Sequence, residues 1–227
     1  TDGASVSISD LARSSTDYFL ADETLAETTF FERTFLLVPL LEHLKTFGLF
    51  YVHASFVVRG EEGVLILGRG GSGKTTLSHR LVERGARWVS DDNLLLEINE
   101  VGKPVLTPFE REFSLHPDLA SRIQLKRGYR ESGKHRIGHA DWPREQRIDS
   151  GTPTVILDLE GVTKDPSPSA RSAILDRLLR ENPTVWLEPH QSRALRAYEI
   201  LVRGCRTLSC AGDWRHLPAL TYFWSDV

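Results

Sequence analysis

Two runs of β-branched and aromatic residues, LFYVHASFVV at 49–58 and GVLILG at 63–68, flank a turn-like Arg-Gly-Glu-Glu and predict an antiparallel hairpin. The second run leads through a glycine-rich turn into a helical pattern over about 74–84. Leu77, Leu81 and Val82 face inward there, and Gly85 stands at its C-terminus. Upstream, Leu37, Leu40, Leu41 and Leu44 fall at helical spacing between Thr29 and Phe47; Gly48 marks the stop and Pro39 a kink or fresh start. Downstream, ARWVS at 86–90 and NLLLE from Asn93 read as strands, and Pro104 to Leu115 is extended and proline-punctuated. TPTVILDLEG at 152–161 is a strong strand, helices are predicted over about 170–180 and 191–203, and RTLSC makes a last strand. Residues 122–147 are polar, with Gly128, Gly133, Gly138 and Pro143 as breakers, and predict a mobile loop. Residues 1–28 read as an N-terminal arm or strand, and 29–227 as one α/β domain without internal repeats.

Composition changes this picture little. With 227 residues, 40% hydrophobic and 26% charged, the chain can bury a sizeable core without disulfides or a structural metal. The net charge of -3 provides no global field for nucleic acid or an anionic membrane, so neither is an expected partner. No apolar run approaches the length of a membrane span, and the polar opening from Thr1 has no signal-peptide profile. Cys205 and Cys210 are too few for a disulfide framework, which suits a reducing, cytoplasmic setting. The chain contains no methionine, so Thr1 is expected to be a processing boundary with residues upstream of it. Trp142, Trp186, Trp214 and Trp224 read as packing residues.

The chemistry concentrates in GRGGSGKT at 68–75, which satisfies the P-loop (Walker A) pattern between a predicted strand and a predicted helix. Glycines let consecutive amides converge on phosphate oxygens, and the following helix presents its positive end to the same anion. Gly68, Gly70, Gly71, Ser72, Gly73, Lys74, Thr75 and Thr76 therefore form a candidate nucleotide site. Lys74 would reach the β- and γ-phosphates and Thr75 would offer its hydroxyl to Mg²⁺. Asp91 and Asp92 follow at the tip of the next predicted strand: one carboxylate can hold Mg²⁺, the other can accept a hydroxyl proton, and a turn with an Asx cap is the bland alternative. His53, on the strand before the P-loop strand, is either a phosphate-steering residue or a satisfied core histidine. The segment 122–147 carries eight Lys or Arg against three acidic residues, so it is either a substrate lid or a solvated basic loop; Arg127, Arg130 and Lys134 are its leading candidates.

The stretch HASFVVRGEEGVLILGRGGSGKTTLSHRLVERGARWVSDD, from His53 to Asp92, resembles the catalytic core of the HPr kinase/phosphorylase superfamily, including the shorter kinases of peptide-natural-product clusters. A histidine-small pair, a strand feeding the P-loop and a Gly-x-x-x-Val-Ser-Asp-Asp run recur in order. The family's P-loop arrangement is similar to that of ATP-dependent phosphoenolpyruvate carboxykinase. The resemblance implies an α/β fold with a mixed sheet and flanking helices, ATP and Mg²⁺ as cofactors, and transfer of the γ-phosphoryl group to a serine-type hydroxyl on a precursor peptide or protein. It implies Asp91 as base, Asp92 as metal partner and a phosphate-facing His53, with the aspartate roles exchangeable. After the aspartates the family's glycine-rich signature is replaced by FEREFSLHPDL at 109–119, where Glu110-Arg111 alone is reminiscent of it and makes Arg111 a phosphate-contact candidate. Relatives often form hexamers, so a homo-oligomer is among the implied states. A small-molecule kinase acting on a sugar or hydroxy acid, and a nucleotide-gated binding module, are the competing readings.

Overall fold

The apolar run before the glycine turn forms the centre of a sheet in the computed structural model, which describes residues 5–22, 24, 31–109, 112–115, 129–131, 134–161, 167–182 and 190–211. The chain divides into two compact units, Thr1–Phe50 with Pro183–Arg196, and Tyr51–Asn182 with Ala197–Val227.

In the first unit, β1 (Val6–Asp10) and β2 (Ser15–Phe19) form an antiparallel hairpin with Val6 opposite Phe19. Asp10 shapes its turn by accepting the amides of Ala12 and Arg13, both at 3.1 Å. A π-helical segment, Phe31–Leu37, precedes α1 (Val38–Thr46), so the expected fresh start at Pro39 is where the regular helix begins. Proline fits there because an amide in the first turn has no intrahelical acceptor. Gly48, at φ 77°, ends the helix as its position predicted. Lys45 and Glu42 pair within α1 at 2.7 Å, both nearly buried, and burial raises the Glu42 pKa against the pull of Lys45.

The second unit carries the larger sheet. β3 (Phe50–His53), β4 (Ser55–Arg59), β5 (Glu62–Leu67), α2 (Lys74–Glu83), β6 (Arg87–Ser90), β7 (Asn93–Ile98) and β8 (Pro104–Pro108) follow one another. After them come β9 (Glu112–Leu115), β10 (Tyr129–Glu131), β11 (Lys134–Gly138) and β12 (Val155–Asp158). The chain continues through β13 (Ser167–Pro168), α3 (Arg171–Glu181), α4 (Gln191–Gly204), which begins in the first unit, and β14 (Arg206–Ser209). A six-stranded sheet has the order β13-β14-β12-β5-β4-β6. β12 runs parallel to both β5 and β14, while β4 is antiparallel to β5 and β6, so the sheet is mixed. Val64, Ile66, Val155 and Leu157 on the central strands pack with Leu77 and Leu81 of α2, and the intervening Leu65, Leu67 and Ile156 are buried as well, which is why β5 and β12 read as continuous apolar runs rather than alternating ones.

Two expectations are corrected. The run 49–58 is not one strand: Ala54 separates β3, in a three-stranded sheet ordered β3-β7-β8, from β4 in the large sheet. The Ala54 amide leaves the ladder to bond the Asp92 carbonyl at 2.8 Å, which lets the chain change sheets. Nor are the described residues of 122–147 an irregular loop. β10 and β11, carrying Arg130 and Lys134, pair antiparallel with each other, and β11 pairs with β9. Arg127 lies outside the described residues. Trp142 is buried against Trp88 and Phe113, at ring separations of 5.1 Å each, and thus packs as expected. Trp186, Trp214 and Trp224 lie outside the described residues. Among the described residues, no helix is long and apolar enough to cross a membrane.

Candidate active site

Strand direction assembles the site. β5 and β6 both run against β4, and β12 and β14 run with β5, so the carboxyl ends of these four strands share one rim with the start of β4. That rim carries the glycine turn after β5, Asp91 and Asp92 after β6, Asp158 at the tip of β12, and His53 beside the start of β4.

The turn is built for close backbone approach. Gly68, Gly71 and Gly73 have φ of 147°, 80° and 99°, values that L side chains rarely adopt. A Cβ at Gly68 would come within 2.5 Å of Ser72 Oγ, whereas Gly70 and Gly71 have open space around them. Gly73 is the left-handed N-cap of α2 and has no capping side chain, which leaves first-turn amides oriented past the helix end. Thr75 and Thr76 occupy that first turn, half-buried.

Lys74 is 6% exposed, and its ammonium donates to the Gly68 carbonyl at 2.7 Å and more weakly to that of Arg69 at 3.4 Å. The same nitrogen lies 3.1 Å from His53 Nε2, which accepts when the ring proton is on Nδ1. His53 Nε2 is in turn 3.5 Å from Asp92 Oδ1. The structure thus brings His53, Lys74 and Asp92 together over the glycine turn. Asp91 is only 2% exposed, while the Asp92 side chain is 40% exposed, so the two carboxylates face different surroundings. Arg111 lies outside the described residues.

Beneath Lys74, a buried hydroxyl pair links three elements. Ser55 Oγ and Ser78 Oγ are 2.5 Å apart, the Lys74 carbonyl is 2.9 Å from Ser78 Oγ and the Ser90 carbonyl 3.0 Å from Ser55 Oγ; one hydroxyl donates to the other, which passes its own proton to its carbonyl. β4, α2 and β6 are thereby tied together directly under the candidate site. Asn182, fully buried at the end of α3, accepts the His53 amide at 2.8 Å and donates to the Leu178 carbonyl at 2.6 Å, which fixes the backbone of the histidine.

Sequence reasoning missed the charged group beside the turn. Glu160 accepts the Arg69 amide at 2.9 Å, and its second oxygen lies 3.3 Å from Arg69 Nε and 2.5 Å from Arg177 of α3. Arg177, 7% exposed, also approaches Asp158 at 3.6 Å and Glu181 at 3.5 Å. Burial raises the Asp158 pKa despite Arg177. For Glu160, burial again pushes upward, but the Arg69 amide and the Arg177 guanidinium outweigh it and hold the carboxyl below its ordinary range. The signal available in the sequence is three apolar residues, Val155 to Leu157, followed by Asp-Leu-Glu; nothing local names Arg177 as the partner.

Fold and site together define a mixed α/β protein whose strand, glycine turn and helix converge with a histidine, a lysine and an aspartate on one rim. No protein-family model matches the chain, and no curated protein matches it. Among solved structures it is similar to the Hpr(Ser) kinase/phosphatase from Coxiella burnetii, at 23% identity over 48% of this chain and 58% of that one, with a TM-score of 0.34. The chain therefore spans somewhat over half the length of that solved chain. A likeness of this extent defines neither a fold nor an activity.

Proposed function

We propose that this protein is an ATP-dependent kinase that transfers the γ-phosphoryl group to a serine-type hydroxyl on a peptide or protein. The observation that carries the reading is the Lys74 ammonium, held at the mouth of the glycine turn by the Gly68 carbonyl and next to His53, which itself approaches Asp92. An ammonium held there stands where the phosphates of a nucleotide seated on the turn amides would meet it.

The residues present fit a magnesium nucleotide. Gly70 and Gly71 have open space where a Cβ would stand, the start of α2 is uncapped, and Thr75 with Asp92 offers a hydroxyl and a carboxylate for Mg²⁺. When bound, ATP with Mg²⁺ supplies the phosphoryl group and neutralises charge on it. The chain's own residues then do three things. Lys74, now on the Gly68 carbonyl, would hold the phosphates of the nucleotide. Asp91 would accept the proton that the acceptor hydroxyl gives up as the phosphoryl group passes to it and ADP departs. His53 steers the phosphoryl oxygens beside Lys74. Positioning and charge neutralisation carry most of such a reaction, since it demands little covalent work from the protein.

The test combines three variants with labelled ATP and mass spectrometry of candidate acceptors. Lys74→Ala is expected to lose nucleotide binding. Asp91→Ala is expected to keep ATP bound but lose transfer by about 10²-fold or more. Asp92→Ala is expected to raise the Mg²⁺ concentration that half-maximal transfer requires. Full transfer by Asp91→Ala would overturn the choice of base, and wild-type protein indifferent to Mg²⁺–ATP would sink the kinase reading.

A further inference from the structure

We infer that Glu160 is a positioning residue that latches the phosphate turn from the neighbouring strand, with Arg177 as its buried anchor and Arg69 as the part of the turn it holds. The inference rests on the nucleotide reading above.

Three contacts make the latch. Glu160 Oε1 accepts the Arg69 amide at 2.9 Å, so the first peptide after Gly68 is pinned through its backbone. Glu160 Oε2 faces Arg69 Nε at 3.3 Å and Arg177 at 2.5 Å. On the opposite side of the same residue, the Arg69 carbonyl faces the Lys74 ammonium at 3.4 Å and accepts the Ser72 amide at 3.1 Å. The Arg69 backbone is therefore held at both its donor and its acceptor, one by β12 and the other by the turn and helix that follow.

The platform beneath Glu160 is rigid. The Glu160 amide bonds Asp158 Oδ1 at 3.2 Å, the Leu159 amide bonds the Leu67 carbonyl at 3.0 Å, and Glu160 forms a bridge to Ala211 beyond β14. Arg177 sits among Asp158, Glu160 and Glu181 and is nearly buried, whereas the Arg69 side chain is 72% exposed. Anchor and handle thus differ: the Arg177 pairing is screened from water, and the guanidinium of Arg69 adds little to what its amide contributes. A glycine-rich turn loses much conformational freedom when it closes on a phosphate. Holding Arg69 in advance reduces what is left to order on binding.

The latch acts on the turn as a whole and touches no phosphate, which separates it from a direct contact. For Glu160→Ala, affinity for Mg²⁺–ADP and Mg²⁺–ATP, read by calorimetry, is expected to fall by the same factor, about tenfold. Amide hydrogen exchange at Arg69 in the ligand-free protein is expected to accelerate in parallel. Glu160→Gln retains an oxygen acceptor for the Arg69 amide and should restore most of both, even where Glu160→Ala folds poorly. Unchanged exchange and affinity in folded Glu160→Ala, with the parent protein binding normally, would overturn the latch alone. A larger loss for ATP than for ADP would overturn it in favour of a γ-phosphate contact. Parent protein that binds neither nucleotide would remove the kinase reading and this role with it.

Discussion

A methyl group at Gly68 would meet Ser72 Oγ at 2.5 Å while the backbone stands at φ 147°, so that position tolerates glycine alone. Gly68→Ala is expected to cost about 1–3 kcal/mol of stability and to weaken nucleotide binding, measured by urea denaturation and calorimetry on the same sample. The cysteines respond to burial in another way. Burial pushes the Cys205 thiol up to about 12, and burial followed by the Asp158 carboxylate pushes Cys210 up to about 11. In the folded protein both are expected to resist iodoacetamide at pH 8 and to react once denatured. Because the fold favours the protonated thiols, stability should decline as pH rises above the ordinary thiol value of about 8.5 toward those raised values. Alkylation of either cysteine in native protein at pH 8 would contradict the burial argument.

Among the elements, the end of α3 matters most to the candidate site, because Asn182 there holds the His53 amide. Asn182→Ala would leave that amide and the Leu178 carbonyl without their partner, at a cost of about 1–3 kcal/mol in a urea titration. If His53 steers phosphate, transfer should fall beyond what the lost stability explains. Legibility follows the range of the interactions involved. α2 and α4 were visible because helical spacing is local, and the glycine turn because its geometry is encoded within eight residues. The break at Ala54 was invisible, since both flanking runs are apolar and only the Asp92 carbonyl, far along the chain, decides where one sheet ends. β10 and β11 were hidden by a polar composition that resembles a loop; their ladder to β9 depends on pairing that no window of sequence displays. Nothing in the sequence around Arg177 marks its partners; the register of β12 brings Asp158 and Glu160 to it.

On the scale of the whole molecule, the second unit gathers its chemistry on one rim of a mixed sheet, and ligand binding there should be felt by the entire unit. Mg²⁺–ATP at about 100 times its Kd is expected to add about 2.7 kcal/mol of stability, seen as a rise in melting temperature that Lys74→Ala abolishes. The same sheet separates chemistry from connection. β4 leaves the rim at Ser55 and returns as β5 through a turn at Gly60 and Glu61, about 15 Å away along the strands. Gly60 stands at φ 59° with nothing within 4 Å of a Cβ built there, and both turn residues are exposed. That bend is a handle: a fluorophore or affinity peptide grafted between Gly60 and Glu61 would ride on the strand that leads into the glycine turn, at the opposite end of that strand from the candidate site.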